Sequence, residues 1–133
     1  MPIKYADAPD IKKRVDEIAS CLDFFHVTPQ FVHCVRSRGS KGERTLARIH
    51  GLGKIWQEVL YLPPSYVIEV ISECYDKLSD ADKERTLIHE LLHIPSGFSG
   101  GFRPHKGYIN DQIVERLHKT LQEQRKTRDI HAE

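Results

Sequence analysis

His89-Glu90-Leu91-Leu92-His93 sets two imidazoles four residues apart around a carboxylate, and Pro95 follows almost at once. On a helix, residues four apart stack on one face, so both rings reach the same point in space. The surroundings predict such a helix. Ser79 and Asp82 form a capping pattern at its start. Pro95 ends it near Ile94, because a proline drives the residue before it out of helical conformation. At roughly 100° per residue, Leu87, Ile88, Leu91, Leu92 and Ile94 fill one arc, and His89, Glu90 and His93 the opposite one. The helix therefore has an apolar back for a core and a polar front for a cleft. Composition alone produces His-Glu-x-x-His in about 3% of comparable chains, so its weight comes from this placement. Two histidines so arranged bind one metal ion, zinc above all, while Glu90 stands beside the stripe, where it can touch a metal-bound water.

A catalytic zinc takes three protein donors and leaves a fourth position open. The third is sought in Ser96-Gly97-Phe98-Ser99-Gly100-Gly101-Phe102-Arg103-Pro104-His105. Its three glycines permit a tight reversal after Pro95, and Pro104 stiffens the entry to His105. Folded back over the helix front, this loop delivers His105 to the metal. Asp111 and Glu115, downstream on a last helix, are the competing donors. His118 is expected on that helix's surface. His26, His33 and His50 lack metal-ligand spacing.

Elsewhere the pattern predicts an α+β domain. A first helix is capped by Asp10 and buries Ile11, Val15, Ile18 and Leu22. Residues 31–36, 45–50 and 55–62 read as strands, the last being the strongest, with Trp56 and Tyr61 in sheet packing. The turns Arg38-Gly39-Ser40-Lys41-Gly42 and Gly51-Leu52-Gly53 suit a three-stranded antiparallel meander. After Pro63-Pro64, Ser65 caps a second helix with Val67, Val70, Ile71, Cys74 and Leu78 inward. The histidine motif then falls on the third of about four helices. Asn110 caps the last, which buries Ile113, Val114, Leu117 and Leu121 and frays beyond Gln124.

The 133 residues, 39% apolar and 29% charged, suffice for one domain, 1–133, with a single core. A net charge of +1 exerts no general pull on nucleic acid or membrane. Arg36, Arg38, Lys41 and Arg44, and Lys119, Arg125, Lys126 and Arg128, are interspersed with acids and lack aromatic stacking partners. They are expected to be solvated surface. No apolar run reaches membrane-spanning length, and residues 1–10 lack a signal peptide's apolar core. Cys21, Cys34 and Cys74 form no CxxC pair, which points to buried free thiols in a reducing cytoplasm.

Ile88 to Tyr108 resembles the zincin metallopeptidases, which carry the same motif on a helix beside a small twisted sheet. It departs from the metzincin subgroup, since Ser96 and Ser99 stand where that pattern has glycine and histidine. Met1 is the lone methionine, so there is no Met-turn. The stretch is more similar to small single-domain metallopeptidases of phages and prokaryotes, in which a Gly-Gly segment and a further histidine follow the motif. The resemblance implies His89, His93 and His105 as zinc ligands and Glu90 as general base, acting on a peptide or protein substrate. In the chemistry expected of such a site, Glu90 takes a proton from the attacking water and passes it to the leaving amine. Tyr108 or Arg103 supplies a second electrophile, and the 55–62 strand aligns the substrate by strand addition. Two other classes stay open: a zinc-stabilised binding protein without turnover, and a nucleic-acid-associated protein.

Overall fold

The computed structural model describes residues 2–40 and 44–132; Lys41 and Gly42 of the first expected turn lie outside the described residues. Among these, the chain runs β1 (Lys4–Asp7), α1 (Pro9–Cys21), a 3-10 turn (Pro29–Phe31), β2 (Val32–Arg38) and β3 (Ala47–Gly51). Then follow α2 (Lys54–Leu60), β4 (Tyr66–Ile71), α3 (Ser72–Tyr75), α4 (Asp80–Leu92) and α5 (Asp111–Ala132). The α+β class holds, but the expected three-stranded antiparallel meander does not. The sheet has four strands in the order β1-β2-β4-β3, and β2 pairs with β4 in parallel. The histidine motif falls on the fourth helix, not the third.

Two exchanged assignments account for most of this difference. Residues 55–62, expected as a strand, form α2 and its end. Ile55, Trp56, Val59 and Leu60 recur at i, i+1, i+4 and i+5, a helical period that the β-forming residue types obscure. Tyr61 closes the helix in the left-handed region at φ 56°, and Pro63-Pro64 prevents its continuation. The next segment, expected as a helix capped by Ser65, is strand β4. It lies between β2 and β3 and is buried along nearly its whole length, so no polar–apolar alternation marks it as a strand. Val67, Val70 and Ile71 merely imitate helical spacing. β1 escapes sequence reading because its four residues are all exposed and carry no apolar signal.

Three smaller expectations change too. Pro9 opens α1 with Ala8 as its cap, while the Asp10 carboxylate turns to the Arg36 guanidinium at 2.6 and 2.7 Å. α5 does not fray beyond Gln124. It runs to Ala132, because Arg125 is held by Glu17 and Glu84 and Arg128 by Ser20. Nor is His118 on the surface. It is buried at 1% exposure, with Nε2 3.1 Å from Glu84 Oε1.

One cluster forms the core. Tyr66, Ile68 and Val70 of β4 and Val32 and Cys34 of β2 belong to it with Ile11, Val15 and Ile18 of α1, Leu87, Ile88 and Leu91 of α4, and Val114 and Leu121 of α5. Six of these Leu and Ile side chains, Ile18, Ile68, Leu87, Ile88, Leu91 and Leu121, are fully buried, and each contributes about 1.5–3 kcal/mol over exposure. The apolar back of α4 is thereby anchored, which fixes the direction of its polar front. No helix of the described residues is long and apolar enough to cross a membrane.

Candidate metal centre

Helix α4 begins as its sequence dictates: the Ser79 hydroxyl accepts from the Asp82 amide at 3.1 Å. It ends inside the motif. His93 is the C-cap, and its amide donates to the Glu90 carbonyl at 3.1 Å. His89 and His93 are half-buried on the outer face of the last turn, while Leu91 is fully buried behind them.

The glycine-rich loop returns over this turn as the sequence predicts, and named contacts hold it there. The Arg103 amide donates to the His93 carbonyl at 2.7 Å, and the Arg103 carbonyl lies 2.9 Å from His93 Nδ1. A carbonyl can only accept, so Nδ1 carries the proton and Nε2 is left with a free lone pair. From underneath, the Tyr66 hydroxyl donates to the Gly101 carbonyl at 2.7 Å and accepts from the Gly100 amide at 2.9 Å. Gln57 of α2 donates to Ser99 O at 2.9 Å and to Leu52 O at 2.8 Å. Gly100 sits at φ +98°, which an L side chain rarely adopts. Across from it, a Cβ on Gly51 would strike the Gly100 carbonyl. The close approach of loop and β3 thus requires glycine on both sides.

Held in this way, the loop brings His105 to the motif. His105 Nε2 is 3.1 Å from His89 Nε2, and one ligand atom from each of the three rings lies within 4.8 Å of the others. Nitrogens bound at 2.0–2.1 Å to one tetrahedral ion stand about 3.3 Å apart. The residues present therefore fit a metal ion held by three imidazoles. Burial, with the nearby His93 and His105, pushes the His89 imidazole down, toward the neutral form a metal requires. The competing donors lie elsewhere. Glu115 is engaged by Arg85 at 2.8 Å, and Asp111 lines the neighbouring hollow without joining the cluster.

Glu90 is 8% exposed between two hollows, and burial pushes its carboxyl up to about 7. One hollow, of about 360 Å³, runs past Arg85, Thr86, Asp111 and Glu115. The other, of about 480 Å³, is walled by Ile49, Phe102, Arg103, Pro104 and His105. Ala47, His89 and Glu90 line both. Arg103 faces the second hollow, its guanidinium bonded to Ser96 and 5.3 Å from the Tyr108 ring centre. Tyr108 itself is half exposed.

Sequence reasoning missed the supports. Tyr66 and Gln57 fell in segments whose structure was exchanged, although two glycine turns meeting near them hinted at a close packing. His26, set aside for its spacing, has Nε2 3.2 Å from the Leu91 carbonyl and so steadies the last turn of α4. No local signal marks that contact.

A family model described as "putative phage metallopeptidase" matches residues 3–129. No curated protein and no solved structure matches. The match spans nearly every described element, including the loop that brings His105 to the motif, and the chain belongs to this phage metallopeptidase family.

Proposed function

We propose that this chain is a zinc-dependent peptidase in which His89, His93 and His105 hold the metal and Glu90 is the general base. The observation that carries this reading is the convergence of three imidazoles beside a buried carboxyl pushed up to about 7. Bound zinc supplies acidification of water and charge stabilisation at a carbonyl oxygen. Glu90, whose proton affinity lies near neutral pH, removes a proton from the attacking water and returns it to the departing amine. Arg103, on the wall of the hollow beside His105, serves as second electrophile, with Tyr108 packed against its guanidinium.

The substrate-aligning edge belongs to β3 rather than to residues 55–62. β3 closes one side of the sheet and contributes Ala47 and Ile49 to the cleft, so its open edge can pair an extended peptide backbone. A peptide partner is also favoured over nucleic acid because two of the basic candidates are engaged, Arg36 by Asp10 and Asp76, and Arg125 by Glu17 and Glu84. Buried free Cys21 and Cys34 support a reducing, cytoplasmic setting, and the single core supports one domain over 1–133.

The test is a mixed quenched-peptide assay with zinc, with a chelator, and with zinc restored. Cleavage should vanish with chelation and return with the metal. Cleavage indifferent to the chelator would remove the proposal.

A further inference from the structure

Helix α2 buries almost nothing but Gln57. Ile55, Trp56, Val59 and Tyr61 are 71%, 58%, 65% and 93% exposed, and Leu60 and Leu62 are open as well. Soluble surfaces rarely gather so many large apolar groups on one short segment without a use for them. Its position narrows that use. Only Leu52 and Gly53 separate the end of β3 from α2. Gln57 ties the helix to Ser99, in the loop that carries His105. Phe102, half exposed, packs against Gly51 at the same end of β3.

Both hollows of the cleft have a mixed lining. Towards the loop Ile49, Phe102 and Pro104 stand with Arg103 and His105, and on the opposite side Leu46 and Val114 stand with Arg85, Asp111 and Glu115. A chain pairing along β3 leaves the cleft at the Gly51 end beside Phe102 and meets α2 next. Alternating pockets along an added strand, followed by an apolar platform, would select side chains on that side of the reacting bond.

We propose that α2 with Phe102 is an accessory substrate site that holds an apolar stretch of the substrate protein on one side of the bond to be cut. This rests on the peptidase reading above. The substrate class is then a polypeptide whose cleavage point is flanked by bulky aliphatic or aromatic residues on one side.

Trp56 is the sole tryptophan of the chain, so its emission reports occupancy of this face. The probe is a short cleavable peptide carrying a Leu-Phe-Ile-Leu extension at its N-terminus or its C-terminus, against a Lys-Glu-Lys-Glu control. It is titrated into the zinc-loaded Glu90→Gln chain. Because α2 stands at one end of β3 only, one apolar extension and not the other should shift Trp56 emission to the blue and bind at least about tenfold more tightly than the control. The double variant Val59→Ser, Tyr61→Ser, which keeps the reporter, should lose that gain while retaining its metal and helical circular dichroism. Equal affinities, an unmoved Trp56, or an undiminished gain in the double variant would overturn the accessory site. So would a blue shift driven by protein concentration alone or by lipid vesicles, which would assign the face to a second copy or a bilayer. Turnover of the same peptides by the wild-type chain is read separately. Its absence would count against the peptidase reading, whereas turnover without a Trp56 response would count against the accessory site alone.

Discussion

Glu90 lines the cleft and Tyr66 braces the loop that carries His105, so replacing each should fail differently. The metal-sized cluster is formed by His89, His93 and His105, and Glu90 is not part of it. Glu90→Gln keeps size and burial but removes the proposed proton acceptor. It should leave zinc content unchanged and lower peptide turnover by about 10²–10⁴-fold, measured as kcat on a quenched peptide; turnover within a few-fold of wild type would exclude Glu90 as base. Tyr66 touches no ligand, yet its hydroxyl makes two hydrogen bonds to the loop that carries His105. Tyr66→Phe deletes both and keeps the ring. Metal affinity should fall about tenfold or more, as is usual when a group orienting the ligands is lost. A competition titration with a chelating dye checks this, and an unchanged affinity would mean that the loop holds its place without Tyr66. The motif residues were legible in sequence because helical spacing alone brings His89 and His93 together. Tyr66 was not, because its role depends on a strand and a loop meeting across 34 residues of chain.

At the scale of elements, legibility followed the strength of local chemistry. α4 was readable at its start through Ser79, although it ends at Leu92, two residues before the Ile94 that Pro95 suggests, and the start of α5 was readable through Asn110, whose side chain accepts from the Ile113 amide at 2.8 Å. α2 and β4 exchanged identities because each contradicts its usual pattern: α2 exposes β-forming apolar residues, and β4 is buried too thoroughly to alternate. Sheet order could not be read locally at all, since the insertion of β4 between β2 and β3 is decided by long-range packing. The glycine-rich loop was read correctly as a reversal, and its tightest point is the contact of Gly100 with β3. Gly100→Ala would combine a strained φ of +98° with a clash against the Leu52 carbonyl. It should cost about 1 kcal/mol or more in denaturant unfolding and reduce zinc uptake as well. A stable variant with full zinc uptake would show that the loop reaches the site by another route.

The whole molecule is tied together by buried carboxylates away from the centre. Burial alone would raise Glu84, but its bonds to Arg125 and His118 outweigh this and hold it below 4.5, which joins α4 to α5. Glu69 is likewise raised by burial and then held below 4.5 by Ser37, His50 and Arg48, across β2, β4 and β3. A carboxyl lowered by folding adds stability that is fully present above its unfolded value and lost as pH falls through its folded value. Thermal stability should therefore decline as pH drops from about 6 to about 3, and less steeply in Glu84→Gln than in the parent. Equal slopes in the two proteins would remove Glu84 from the acid response. The fold places one loop histidine beside two helical ones. Elemental mass spectrometry of wild type and His105→Ala, after zinc loading and desalting, examines that placement. About one zinc per wild-type chain, sharply reduced in the variant, is the expected result. A wild type without metal, or a His105→Ala chain that keeps its full zinc, would contradict the three-histidine centre.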